Sequence, residues 1–97
     1  MDIREKFTRE LQIVEWAALV PHFDRGGVVE IDGSLNLVDV GIAMANDNSG
    51  VVAEWLSYGL ISQPDKFKSD TWVSQGDSFQ FLIVQPYVLV QKVELHG

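Results

Sequence analysis

The chain has 97 residues, a hydrophobic fraction of 46% and no cysteine. That bounds it to one globular domain over residues 1–97 and excludes disulfides, thiolate metal sites and cysteine nucleophiles. With 14 Asp plus Glu against 7 Lys plus Arg, the net charge is -7, a field that repels nucleic acid, whose affinity rests on bases neutralising phosphates. The opening MDIREKFTRE is charged where a secretory signal is apolar, and no run reaches the ~20 apolar residues of a membrane span. A cytoplasmic protein with no membrane partner is the expectation.

Asp2 and Glu5 have the spacing of a capping box. Ile3, Phe7, Leu11, Val14 and Ala18 follow as one helical stripe, which predicts a helix running to Val20. Pro21 kinks or restarts it, and Arg25-Gly26-Gly27 ends it. VVEID, Val28 to Asp32, reads as a short strand. Asp32-Gly33 then allows a hairpin with LNLVDV returning, but Leu35, Val38, Ile42 and Ala45 have helical spacing. A buried helix from Leu35 to Asn46 is preferred, with the hairpin strand as alternative. After the turn Asn46 to Gly50, a helix carrying Val51, Val52, Trp55 and Leu56 stops at Gly59. Ser62 to Asp65 forms a further capping box for a helix towards Trp72, closed at Gln75-Gly76-Asp77.

FQFLIVQPYVLVQK, Phe79 to Lys92, is the most apolar ribbon. As one straight strand at ~3.3 Å per residue it would span about 46 Å, whereas a domain of ~100 residues is only about 33 Å across. Pro86 removes a ladder donor in its middle. Two strands are therefore expected, Phe79–Val84 and Tyr87–Val93, meeting at Gln85-Pro86. The fold class that results is α+β, a small mostly antiparallel sheet of about three strands packed against three to four helices.

Trp16, Leu19, Pro21-His22, Arg25-Gly26, LNLVDVGIAMANDN, Trp55, Gly59-Leu60 and LIVQPYVLVQ together resemble the small bacterial proteins grouped as domain-of-unknown-function family 2288. The resemblance runs from about Trp16 to Gln91, and QPYVLVQ is its most specific part. It implies no activity. It also implies a Pro after Asp32 and an acid at Asn36; Gly33 and Asn36 depart from that pattern, and Gly33 keeps the hairpin alternative open.

No catalytic, metal or phosphate motif stands out. His22-Phe23-Asp24-Arg25 is the densest polar group: His22 as a general base oriented by Asp24, with Arg25 on an anionic substrate, stands against the plainer reading of cations at a helix C-terminus. ANDNSG lacks the alternating acids and terminal Glu of a calcium loop, so Asp47 and Asn48 read as turn and cap residues. A winged-helix reading of AEWLSYGLIS is opposed by the acids flanking Lys66 and Lys68. Trp16 and Trp55 read as core; His96 reads as a terminal residue. Tyr87, Gln85 and Gln91 need hydrogen-bond partners if buried. The candidate binding residues are thus His22, Arg25, Asp47, Gln85, Tyr87 and Gln91, with no cofactor and no metal implied.

Two functions compete. Phe81 to Val84 is apolar on both strand faces, and a three-stranded sheet has few layers to cover both. A noncatalytic protein-interaction or self-assembly module, binding a second copy or another protein, is the preferred reading. The alternative is a small enzyme or small-molecule-binding protein whose site gathers His22, Arg25, Asp47 and Tyr87.

Overall fold

Asp2 opens the first helix, α1 (Ile3–Glu10), its carboxylate accepting from the Arg4 amide at 3.2 Å. The computed structural model describes residues 2–94, so His96 lies outside the described residues. Ile3, Phe7 and Leu11 face the core as the stripe requires. The helix does not continue to Val20. Residues Gln12–Glu15 form strand β1, followed by a 3-10 turn at Trp16–Leu19 and a short helix α2 (Val20–Asp24) with Pro21 in its first turn. The physical reason is β4 (Ser78–Val84), whose outer edge β1 pairs through Gln12 to Phe81 and Val14 to Phe79. A ladder partner outweighs the weak helical preference of Ile13 and Val14, both β-branched. Pro21 sits where a missing N–H costs nothing.

β2 (Val28–Ile31) leads into Asp32, whose carboxylate accepts from both the amide and the hydroxyl of Ser34. The chain turns there, but into a helix: α3 is Leu37–Ala45, capped by the Asn36 side chain accepting from Asp39 N at 3.0 Å. The helix expectation stands, two residues shorter at its start, and the hairpin alternative falls. α4 (Ser49–Ser57) is capped by Asn48 and ends at Gly59, whose φ of 71° serves the turn that lets Leu60 N reach Trp55 O. β3 (Ile61–Ser62) is a two-residue strand without a sequence signal. α5 (Lys66–Gln75) takes its cap from Asp65 rather than from Ser62, the Asp65 carboxylate accepting from Lys68 N at 2.8 Å. β5 (Tyr87–Lys92) completes the hairpin with β4, in the register Val84 to Tyr87.

The class is α+β, with more elements among the described residues than expected: five strands rather than about three, and five helices rather than three to four. The sheet order is β1-β4-β5-β2-β3, antiparallel except for the parallel pair β2 and β5. Strand alternation separates two cores. On one face Val29, Ile31, Ile61, Leu82, Val84 and Leu89 pack against Phe7 of α1 and Leu37, Val38 and Val40 of α3. On the other, Val28, Phe79, Val88 and Val90 pack against Trp16, Leu19 and Trp72. Trp16, Trp72 and Phe79 lie within 4.7–5.2 Å of one another, centroid to centroid, mostly edge to face, and Trp16 Nε1 donates to buried Ser69 Oγ at 2.8 Å. The ribbon is therefore packed on both faces by the chain's own elements, the tryptophan layer supplying the second cover, except near its turn, where Ile83 and Tyr87 stay exposed. The overall extents, 36 × 29 × 26 Å, match the size that ruled out one straight ribbon.

Candidate functional site

The side chains with chemical potential gather at one end of the sheet, around Tyr87. Tyr87 opens β5 directly after the cis Gln85-Pro86 peptide, and its ring is 40% exposed. On one side it meets the α3–α4 corner. Asp47 sits in that corner with φ 54°, a left-handed conformation that Asp tolerates better than most residues. This geometry places Asp47, Asn48 and Ser49 on the rim of a cleft of about 640 Å³. Its apolar lining comes from Val29, Ala43, Met44, Val52, Leu56 and Ile61, and Ser62, Gln63 and Tyr87 complete it. The cleft exists because α4 is poorly buried. Val52 and Trp55 touch the core, but no residue of α4 is fully buried, and Leu56 stays 55% exposed. A volume of this size is in the range that binding sites use.

On its other side Tyr87 contributes to a smaller cleft of about 410 Å³ with His22, Arg25, Gly27, Ile83, Gln85, Pro86 and Val88. His22 lies in the last turn of α2 and Arg25 is its C-cap residue, the positions that the plainer sequence reading gives them. Arg25 Nη2 and His22 Nδ1 are 3.0 Å apart. A guanidinium has no acceptor, so this contact is a hydrogen bond in the tautomer whose ring proton is on Nε2. Asp24 makes no hydrogen bond to His22 among the described residues, so the base-and-orienter pair weighed against that plainer reading is not formed. The convergence that the alternative, small-molecule reading requires is split: Asp47 with Tyr87 in the larger cleft, and His22, Arg25 and Gln85 with Tyr87 in the smaller.

Gln91 belongs to neither. Its Nε2 donates to Asp32 O at 3.0 Å and Leu35 O at 2.7 Å, tying the β2–α3 connection to β5. It is a structural tether. The Asp32 carboxyl in that connection is held below its ordinary value, first by the Ser34 hydroxyl and then by the Ser34 amide. Among the described residues no group of three or more His, Asp or Glu is placed to hold a metal ion. No described helix is long and apolar enough to cross a membrane.

Met44, Val52, Leu56, Ser49 and Gln63 line the larger cleft without having been singled out in the sequence. The available signal was the weak amphipathicity of VVAEWLS, whose apolar residues exceed what one buried stripe uses.

The family described as "Protein of unknown function (DUF2288)" matches residues 2–92. A solved structure, the NMR solution structure of PA1075 from Pseudomonas aeruginosa, is similar over 97% of this chain and 91% of that one. It has a TM-score of 0.81 at 31% sequence identity. No curated protein matches.

Proposed function

We propose that this chain, which belongs to the DUF2288 family of proteins of unknown function, is a noncatalytic interaction module whose cleft beneath α4 receives a basic amphipathic segment of another protein. The observation that carries the reading is the cleft itself: about 640 Å³, apolar inside, with Asp47 on its rim. Charge supports the nature of the partner. From Gly26 to Asp65 the chain has no Lys, Arg or His, against Glu30, Asp32, Asp39, Asp47, Glu54 and Asp65. Apart from Tyr87, the residues that line the cleft are drawn from this stretch; Glu30 and Asp39 pair with Lys68 and Arg4, and the remaining acids favour a segment with cationic side chains over an anionic one. A second copy carries the same net charge of -7 and is repelled. A protein segment is favoured over a small molecule because the apolar residues of α4 stay open to solvent: Leu56 is 55% exposed, and Tyr58 just past the end of the helix is 71% exposed.

The test is an NMR titration with two synthetic peptides, one with Leu and Lys at helical spacing and one with Leu and Glu. The Leu/Lys peptide is expected to produce saturable shifts at Ala43, Met44, Val52 and Leu56, and the Leu/Glu peptide none. Leu56→Ser should weaken binding by roughly tenfold, the loss of about half a buried leucine. Asp47→Asn, which keeps the left-handed turn accessible, should weaken it a few-fold. Non-saturating shifts spread over the acidic surface, or equal binding of both peptides, would refute the reading.

A further inference from the structure

The smaller cleft plays no part in that interaction, and its composition runs against the charge of the whole molecule. In a chain of net charge -7, no Asp or Glu lines it, while Arg25 and His22 both do. Most of the other bases are occupied. Arg4 pairs with Asp39, Arg9 with Glu5, Lys66 with Asp70, Lys68 with Glu30, and Lys92 with Asp77. Among the described residues Arg25 has no carboxylate partner; its one side-chain hydrogen bond is to His22 Nδ1.

From this we infer that the smaller cleft is a binding site for a small oxyanion, a carboxylate or a phosphate, held by Arg25 with His22 as second donor. The contact to His22 uses one of the five N–H donors of the guanidinium and fixes its orientation, leaving others for the planar, bidentate recognition of an oxyanion. In the tautomer that accepts from Arg25 the ring proton is on Nε2, which leaves His22 able to donate as well. The backbone around the cleft is pinned: Gly27 N donates to His22 O at 3.2 Å and Val88 N donates to Gly27 O at 2.8 Å. With about 410 Å³ available, the site admits a small organic acid or phosphate ester rather than a bare ion alone. Gln85 and Tyr87 offer polar contacts to its remainder.

The experiment is a titration of the full chain with acetate and, separately, inorganic phosphate at constant ionic strength, read by amide NMR, with sodium chloride as the control. Saturable shifts at Gly27, Ile83 and Val88, weakened about tenfold or more in Arg25→Gln, are expected, because a charge-assisted hydrogen bond is removed. Arg25 is exposed, so the variant should keep the spectrum of the folded chain elsewhere. Saturation by acetate alone identifies a carboxylate ligand, and saturation by phosphate a phosphorylated one. Shifts matched by chloride, or unchanged affinity in Arg25→Gln, overturn the inference and leave the α4 cleft untouched.

Discussion

Replacing Gln91 by glutamate changes one donor into an acceptor at nearly constant volume. The native Nε2 donates at 3.0 and 2.7 Å to the carbonyls of Asp32 and Leu35. Two such bonds contribute about 1 kcal/mol each. The ionised carboxylate of the Gln91→Glu variant would also face two carbonyl oxygens at a half-buried position, adding about 1 kcal/mol. The expected loss at pH 7 is therefore about 3 kcal/mol, or a fall in Tm of roughly 12–24 °C for a domain of this size. Without a donor beside it, the introduced carboxyl has a folded-state pKa above the ordinary glutamate value of about 4.3. A raised carboxyl pKa means that stability relative to wild type is highest below about pH 4, where the protonated carboxyl again donates one bond. It is lost as pH rises through the folded-state value. Urea unfolding followed by tryptophan fluorescence at pH 4 and pH 7 measures both terms, and Gln91→Met supplies the uncharged control, with about 2 kcal/mol lost at either pH. A Gln91→Glu variant within about 0.5 kcal/mol of wild type at pH 7, close to the error of such measurements, would refute the tether. So would a loss independent of pH.

Gly41→Ala sets helix propensity against packing: the new Cβ would lie 2.7 Å from Leu82 Cδ2 and 3.3 Å from Phe7 Cδ2. A gain of about 1 kcal/mol should be outweighed by overpacking of about 1–3 kcal/mol; a Tm at or above wild type would show that Leu82 yields freely. Ser69→Ala leaves the Trp16 N–H buried without its acceptor and should cost about 1–3 kcal/mol in urea unfolding, with no measurable loss refuting the bond. Ser34→Ala removes the larger of the two contacts that hold the Asp32 carboxyl down. The native Asp32 should titrate below 3.8 by carboxyl NMR, and the variant should titrate higher than the native chain. In wild type the associated stability is present above 3.8 and fades as pH falls through the lower folded-state value; an unchanged Asp32 titration would contradict the assignment.

How far the fold was legible depended on the range of the interaction behind each element. The Asp2 cap, the Gly59 and Gly76 stops and the Gln85-Pro86 break all came through, because each is decided within a few residues. Val14 and Ala18 continue the stripe of Ile3, Phe7 and Leu11 arithmetically, yet Val14 lies in β1 because it pairs with Phe79, far along the chain, and Ala18 falls in the 3-10 turn that follows. The capping box at Ser62 was locally plausible, but Ile61 and Ser62 are held by Ile31 and Glu30 of β2, which moves the helix start to Asp65. For the candidate site, Asp47 and Tyr87 were identifiable as a turn residue and an amphipathic aromatic, and His22 with Arg25 as neighbours one helical turn apart. Their division into two clefts was not visible, nor was the part played by Met44 and Leu56. Those facts depend on how far α4 stands from the sheet.

From the sequence alone follow the chain's acidity and most helix ends and strand breaks. Each of these is a property of composition or of hydrogen bonds closed within a turn. Only the tertiary structure decides that elements pack on both faces of the ribbon, that β2 runs parallel to β5, and that Gln91 spans back to Asp32 and Leu35. It alone also places Tyr87 between an apolar acidic-rimmed cleft and one lined by Arg25 and His22. The reason is that these arrangements join residues distant in sequence. Their free energy comes from apolar burial and strand pairing summed over the whole domain, and no local pattern records which distant partner supplies it.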